Sequence, residues 1–234
     1  MTDPSWNRFP TLGKQCLSEL LGTYLLVFIG PASVVLSSFS GLSALVRQEL
    51  VALVFGCTVA AAILIFGRYS GAQINPAVSV ASAASGRLSR KLLLPFILSQ
   101  GAGALLAGLS LRLVFGHSGS ATSLGSTKLA SGVSLTEGMV LEVAGTFVLA
   151  VSALIAGGFV RSRVQQAALV GTTLFFLITL VGPLTGASFN PARSLGPSVF
   201  SGYLENQLIY YVGPVAGGLV AGLLFSFRAR PGGA

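Results

Sequence analysis

Asparagine side chains placed at helix starts carry the chemistry this chain has to offer. Two copies of one pattern supply them: Ser70-Gly71-Ala72-Gln73-Ile74-Asn75-Pro76-Ala77-Val78-Ser79, and Thr185-Gly186-Ala187-Ser188-Phe189-Asn190-Pro191-Ala192-Arg193-Ser194. Asparagine is a favoured helix N-cap and proline is favoured at the first helical position. Each copy therefore predicts a loop, a cap, and a short helix beginning at Pro76 or Pro191. A capping asparagine spends its side-chain oxygen on the free backbone N–H groups of the helix start. Its NH2 group is left to donate to a molecule in front of the helix end. The chemistry is recognition of an oxygen atom, and no bond need break.

Other chemistries lack their parts. The one histidine, His117, falls in a polar stretch, and the two cysteines, Cys16 and Cys57, fall in apolar runs. Both thiols read as buried and imply neither a disulfide framework nor a metal site. No catalytic residue, metal or cofactor is expected, and enzymatic activity finds no support.

The elements that must hold the two asparagines are membrane helices. Hydrophobic residues make up 53% of the chain and charged residues 9%, where a soluble domain carries about a quarter charged. The mean hydropathy is +0.82. A chain of 234 residues accommodates roughly six spans of about 20 residues. These are expected at about 16–36, 50–66, 92–115, 139–160, 167–184 and 208–227. The two short helices, too short to cross a bilayer, are expected to end near Gly86 and Ser201. The stretch 116–136, rich in Ser and Gly, reads as an exposed loop. The first apolar run follows Asp3, Arg8 and Lys14, contains Glu19, and outruns the apolar core of a cleavable signal.

The net charge of +8 is spread as single or paired Lys and Arg between apolar runs, which gives no basic face for nucleic acid. Topology explains it better. With the N-terminus inside, the inner face collects Arg8, Lys14, Arg68, Arg87, Arg90, Lys91, Arg161, Arg163, Arg228 and Arg230, and the outer face keeps Arg47, Arg112 and Lys128. Both termini are then cytoplasmic, in the plasma (inner) membrane.

The halves repeat. Glu19-Leu20-Leu21-Gly22-Thr23-Tyr24 matches Glu142-Val143-Ala144-Gly145-Thr146-Phe147, and Gln100-Gly101-Ala102-Gly103-Ala104 loosely echoes the segment from Val212 to Gly217. Three spans per repeat is an odd number, so one channel domain over 1–234 with inverted repeats at about 16–115 and 139–227 is expected. Interrupted helices in such repeats meet near the midplane, where non-helical backbone must line a cavity.

Paired Asn-Pro-Ala boxes (Asn75, Pro76, Ala77 and Asn190, Pro191, Ala192), an arginine directly after the second, and the repeated Glu-x-x-Gly-Thr resemble the aquaporins of the major intrinsic protein family, in their prokaryotic type. The resemblance spans about 16–227. It implies an all-α membrane protein with six transmembrane helices plus two re-entrant half-helices, assembled as a homotetramer in membrane lipid. It implies passive passage of water and other small neutral solutes, with protons and ions excluded. Asn75 and Asn190 would donate to the passing oxygen, with backbone carbonyls around 70–74 and 186–189 as acceptors. The resemblance places a selectivity filter at Phe55, Ile178, Ala187 and Arg193, a wider and less polar ring than strict water channels have. Gln73 stands where the family usually has histidine. Ser194 and Ser198 stand where glycerol facilitators have an acid and a base, while the Tyr210-Tyr211 pair is aquaporin-like.

Alternatives remain open at this point. A channel mainly for a larger neutral solute (glycerol or a metalloid hydroxide) is one, and a secondary transporter or a junctional membrane protein are others. Arg193 could snorkel to the interface. Glu19 and Glu142 could carry protons or receive hydrogen bonds from the half-helix loops. Gly213 and Gly217 have the spacing of helix-contact residues.

Overall fold

The computed structural model describes residues 10–228; Asp3, Arg8 and Arg230 lie outside them. Eight α-helices follow one another among the described residues: α1 (Leu12–Ser38), α2 (Ala44–Ser70), α3 (Pro76–Ala84), α4 (Arg90–Phe115), α5 (Leu135–Phe159), α6 (Arg163–Thr185), α7 (Pro191–Ser201) and α8 (Ile209–Arg228). Six of them, α1, α2, α4, α5, α6 and α8, are long and apolar enough to cross a membrane. With 9 and 11 residues, α3 and α7 rise only about 14 and 17 Å, against a hydrocarbon core of about 30 Å.

The spans outrun their hydropathy because caps, not greasiness, set helix ends. Ser43 caps α2 by accepting from the N–H of Val46, so the helix continues through Arg47, Gln48 and Glu49 before its apolar part begins. Ser134 and Glu137 form a reciprocal capping box that starts α5 at Leu135.

The stretch after α4 departs from the exposed loop expected. It makes 3₁₀ turns over Gly116–Gly125, broken by left-handed backbone at Ser123 and Leu124. Leu124 and Thr127 are fully buried. Leu124 belongs to an apolar cluster with Ala32 and Leu111, so a single leucine in a polar stretch anchors the segment over the helix ends.

Packing follows the repeat. α1 lies on α2 and α4, as α5 lies on α6 and α8; α3 lies on α8, as α7 lies on α4. Exchanging the halves turns each of these pairs into another, and the α2–α6 and α3–α7 contacts into themselves. Close approach needs glycine at matched places: a Cβ on Gly103 would collide with the backbone carbonyl of Leu20, and one on Gly217 with that of Val143. Gly213 likewise faces Glu142 and Met139, so Gly213 and Gly217 are both helix contacts. The Gly103–Gly217 match moves the loose register between α4 and α8 by two residues, setting Gln100 opposite Pro214.

Cys57 corrects another expectation, since it is exposed while Cys16 is partly buried. α2 buries the stripe Ala52, Phe55, Gly56, Val59 and Ile63 and turns Cys57 outward. An apolar run in a membrane helix has an outward side that hydropathy cannot distinguish from the inward one.

Candidate functional site

The two Asn-Pro-Ala segments begin where α2 and α6 stop. Gly71 (φ 84°) and Gly186 (φ 75°) end those helices in the left-handed region. Ala72, Ile74, Ala187 and Phe189 continue there with φ between 44° and 51°. Non-glycine residues pay of order 1 kcal/mol for this conformation and keep it only where surroundings over-determine them. Two carboxylates do so. Glu19 accepts from the N–H groups of Gln73 (2.9 Å) and Ile74 (2.7 Å), and Glu142 accepts from those of Ser188 (3.0 Å) and Phe189 (2.8 Å). Both are completely buried.

Further polar residues, unassigned by the sequence, complete this support. Gln100 Nε2 donates to Glu19 (2.7 Å) and Ser79 (2.9 Å). Thr185 donates to Glu142 (2.8 Å), and the Tyr210 hydroxyl to the Thr185 carbonyl (2.8 Å). A glutamine in mid-span is costly in lipid and was the available signal.

At the helix starts, Asn75 Oδ1 accepts from the N–H of Ala77 (2.8 Å). Asn190 Oδ1 accepts from Ala192 (2.9 Å) and Arg193 (3.4 Å). The amide nitrogens are less free than the sequence implies. Asn75 Nδ2 donates to the Phe189 carbonyl (2.8 Å) and Asn190 Nδ2 to the Ile74 carbonyl (3.0 Å). Each amide holds two protons, so one ties the opposite loop and one remains. The crossing also occupies one lone pair of the Ile74 and Phe189 carbonyls.

Both asparagines line a cavity of about 430 Å³ whose wall is otherwise mainly aliphatic, including Val59, Ile63, Leu149, Val170 and Leu174, with Arg87 and Arg163 also on its lining. A second cavity of about 370 Å³ is lined by Ser37, Ser38, Arg47, Gln48 and Thr122 among others. The residues common to both linings are Phe55, Ile178, Ala187 and Arg193. The four positions therefore come together where one cavity gives way to the next.

Arg193 and Ile178 are held from behind. Arg193 Cζ stands 5.0 Å from the centre of the Phe55 ring, and Nη1 donates to the Gly125 carbonyl (2.8 Å). With 4% of its surface exposed, Arg193 does not snorkel. Gln48 Nε2 donates to the Ile178 carbonyl (2.7 Å). Thr127 shares a hydrogen bond with Ser194 (2.8 Å), which ties the segment after α4 to the second short helix. Among the described residues there is no cluster of three or more His, Cys, Asp or Glu side chains that could hold a metal ion.

A family model described as major intrinsic protein matches residues 6–225. Aquaporin NIP1-1 of Zea mays is 37% identical over 229 residues, covering 93% of this chain and 77% of the relative. Aquaporin AqpM of Methanothermobacter marburgensis is 33% identical over 243 residues, covering 93% and 98%. Among solved structures, the aquaglyceroporin from Plasmodium falciparum superposes with a TM-score of 0.80 at 22% identity, covering 93% of this chain and 95% of that one. That likeness is one of fold.

Proposed function

This chain belongs to the major intrinsic protein family, and from that premise we propose that it passes water and other small neutral solutes through the two cavities and the ring between them. It is an integral multi-pass membrane protein and a passive channel, not an enzyme. The carrying observation is that, among the described residues, Phe55, Ile178, Ala187 and Arg193 alone line both cavities.

The mechanism follows from the geometry. The N-termini of α3 and α7 each bring about half a positive charge to the same depth. The remaining N–H of Asn75 and of Asn190 donates to the oxygen of a passing molecule. A water held by two donors turns its own hydrogens away, which interrupts a proton wire, and the positive field repels cations. Arg193 adds a full charge at the ring. Ile178 and Ala187 offer that ring no side-chain donor, and Ala187 is small, which supports a relaxed solute range. The buried carboxylates Glu19 and Glu142 keep the two loops in shape.

The rest of the reading rests on weaker support. The matched packing pairs favour two inverted repeats within one channel domain, about 16–115 and 139–227. The charge asymmetry favours cytoplasmic termini in a plasma (inner) membrane. The family favours a homotetramer, with one passage in each subunit.

The test is stopped-flow light scattering on proteoliposomes with water, glycerol and arsenite, comparing wild type with Ile178→His plus Ala187→Thr. Water and the larger solutes passing through wild type, and only water through the double variant, is the expected result. Water alone through wild type makes it a strict water channel; no flux above empty vesicles sinks the channel reading.

A further inference from the structure

A field that turns cations away draws anions in. The large cavity has Arg193 at the ring and Arg87 and Arg163 on its lining, with no carboxylate among the lining residues. Arg87 and Arg163 stand at the end away from the ring, where α2, α5 and α8 finish and α6 begins. Glu49, Glu137 and Glu205 belong to the opposite end, beside the starts of α2, α5 and α8. Glu19 and Glu142 are completely buried, each bound to a loop. Among the described residues the far end therefore has cations, Arg68, Arg90, Lys91 and Arg161 included, and no carboxylate to neutralise them.

Arg87 is fixed in place. Its Nη1 donates to the Leu154 carbonyl, and the Phe159 and Phe225 ring centres each lie 5.4 Å from Cζ. Gly158 makes the room, since a Cβ there would collide with the guanidinium. The other guanidinium N–H groups of Arg87 find no acceptor among the described residues. Arg163, the first residue of α6 and on the same lining, makes no side-chain hydrogen bond among the described residues. Gln166, also on the lining, gives one amide proton to the Val160 carbonyl (2.7 Å) and retains the other. Two guanidinium forks and an amide on one cavity mouth match the oxygens of a tetrahedral oxyanion.

We propose that this mouth, formed by Arg87, Arg163 and Gln166, is a binding site for a soluble oxyanion, phosphate or a small phosphomonoester, whose occupancy obstructs permeation. The proposal rests on the channel reading above. The anion is not itself carried through. Beyond the arginines the wall is aliphatic, with Val59, Ile63, Leu149, Val170 and Leu174, and an anion there loses its hydration without replacement. It lodges at the guanidiniums and leaves the aliphatic stretch to neutral molecules. Both arginines are open to solvent, so binding is weak and reversible, of about millimolar strength.

The experiment is osmotic water flux of phosphatidylcholine proteoliposomes, with sodium phosphate or sodium chloride at matched osmolarity and ionic strength on both sides. About 20 mM phosphate should lower wild-type flux about twofold or more, and sulfate should act alike. Arg163→Gln, read against itself in chloride, should lose most of the effect. Arg163→Lys, which keeps the charge but not the fork, should retain part of it. Arg87→Gln should lose it as well; if that variant fails to reconstitute, the Arg163 variants decide, because no hydrogen bond among the described residues depends on that side chain. Equal wild-type flux in the two salts overturns the proposal, and so does inhibition that Arg163→Gln leaves intact. Slowing by phosphatidic acid in the vesicle, with free phosphate inert, assigns the arginines to a lipid headgroup and overturns the soluble site. A non-conducting wild type sinks the channel reading instead.

Discussion

The carbonyl oxygen of Gly125 stands 2.8 Å from Nη1 of Arg193, so a residue of the segment between α4 and α5 holds the charged member of the ring. Gly125 has φ of +73°, and a Cβ there would lie 2.7 Å from the Pro31 carbonyl. Valine at 125 meets both a left-handed backbone and that carbonyl, and the segment has to shift. We expect Gly125→Val to lower stability by about 1–3 kcal/mol and to change the ratio of glycerol to water permeability. Thermal unfolding in detergent and stopped-flow flux measure the two effects; an unchanged ratio would show that Arg193 keeps its place without this carbonyl.

Removing the charge itself tests exclusion. Arg193→Val takes the one full positive charge out of the ring while the starts of α3 and α7 stay in place. Proton leak, read with a pH-sensitive dye inside vesicles, should rise with water flux retained. A leak no greater than wild type would assign the whole barrier to the asparagines and helix ends.

Glu142→Gln keeps the shape of the carboxylate and only one of its two acceptors. Ser188 and Phe189 each donate to a separate oxygen of Glu142, so one buried N–H loses its partner. The expected cost is about 1–3 kcal/mol, seen as an earlier thermal transition. Full wild-type stability would mean that the loop holds its left-handed residues unaided.

Gly217→Ala forces a methyl against the Val143 carbonyl, whereas Gly101 has open space where its Cβ would go. The first change should destabilise by about 1–3 kcal/mol, and Gly101→Ala should be neutral or stabilising by up to about 1 kcal/mol. Parallel unfolding curves check the contrast, and equal behaviour of the two variants would remove the close-approach argument.

The sequence carried the architecture far because the membrane leaves few options. Apolar runs must be helices, a capping asparagine before a proline must start one, and the two together located all eight. Less visible was whatever depends on a side chain's second partner. Nothing local to Asn75 says that one amide proton crosses to Phe189, and nothing in 116–136 except Leu124 hints that Gly125 reaches Arg193. Gln100 and Tyr210 belong to the same class: their polar atoms meet partners far away in sequence. Cys57 went astray for a different reason, since period and hydropathy alone do not say which side of α2 faces its neighbours.

The crossed packing of the short helices has a consequence for biosynthesis. α3 rests on α8, and Asn75 binds the Phe189 carbonyl, so the first half emerges from the ribosome with its re-entrant segment still lacking both partners. Chains made vectorially tend to fold region by region, the earlier part first; here the earlier part has to wait. A nascent chain halted before Ile209 should therefore hold α3 in a protease-sensitive state that the completed chain does not share, and quality control has its clearest signal in the interval before the last helix arrives.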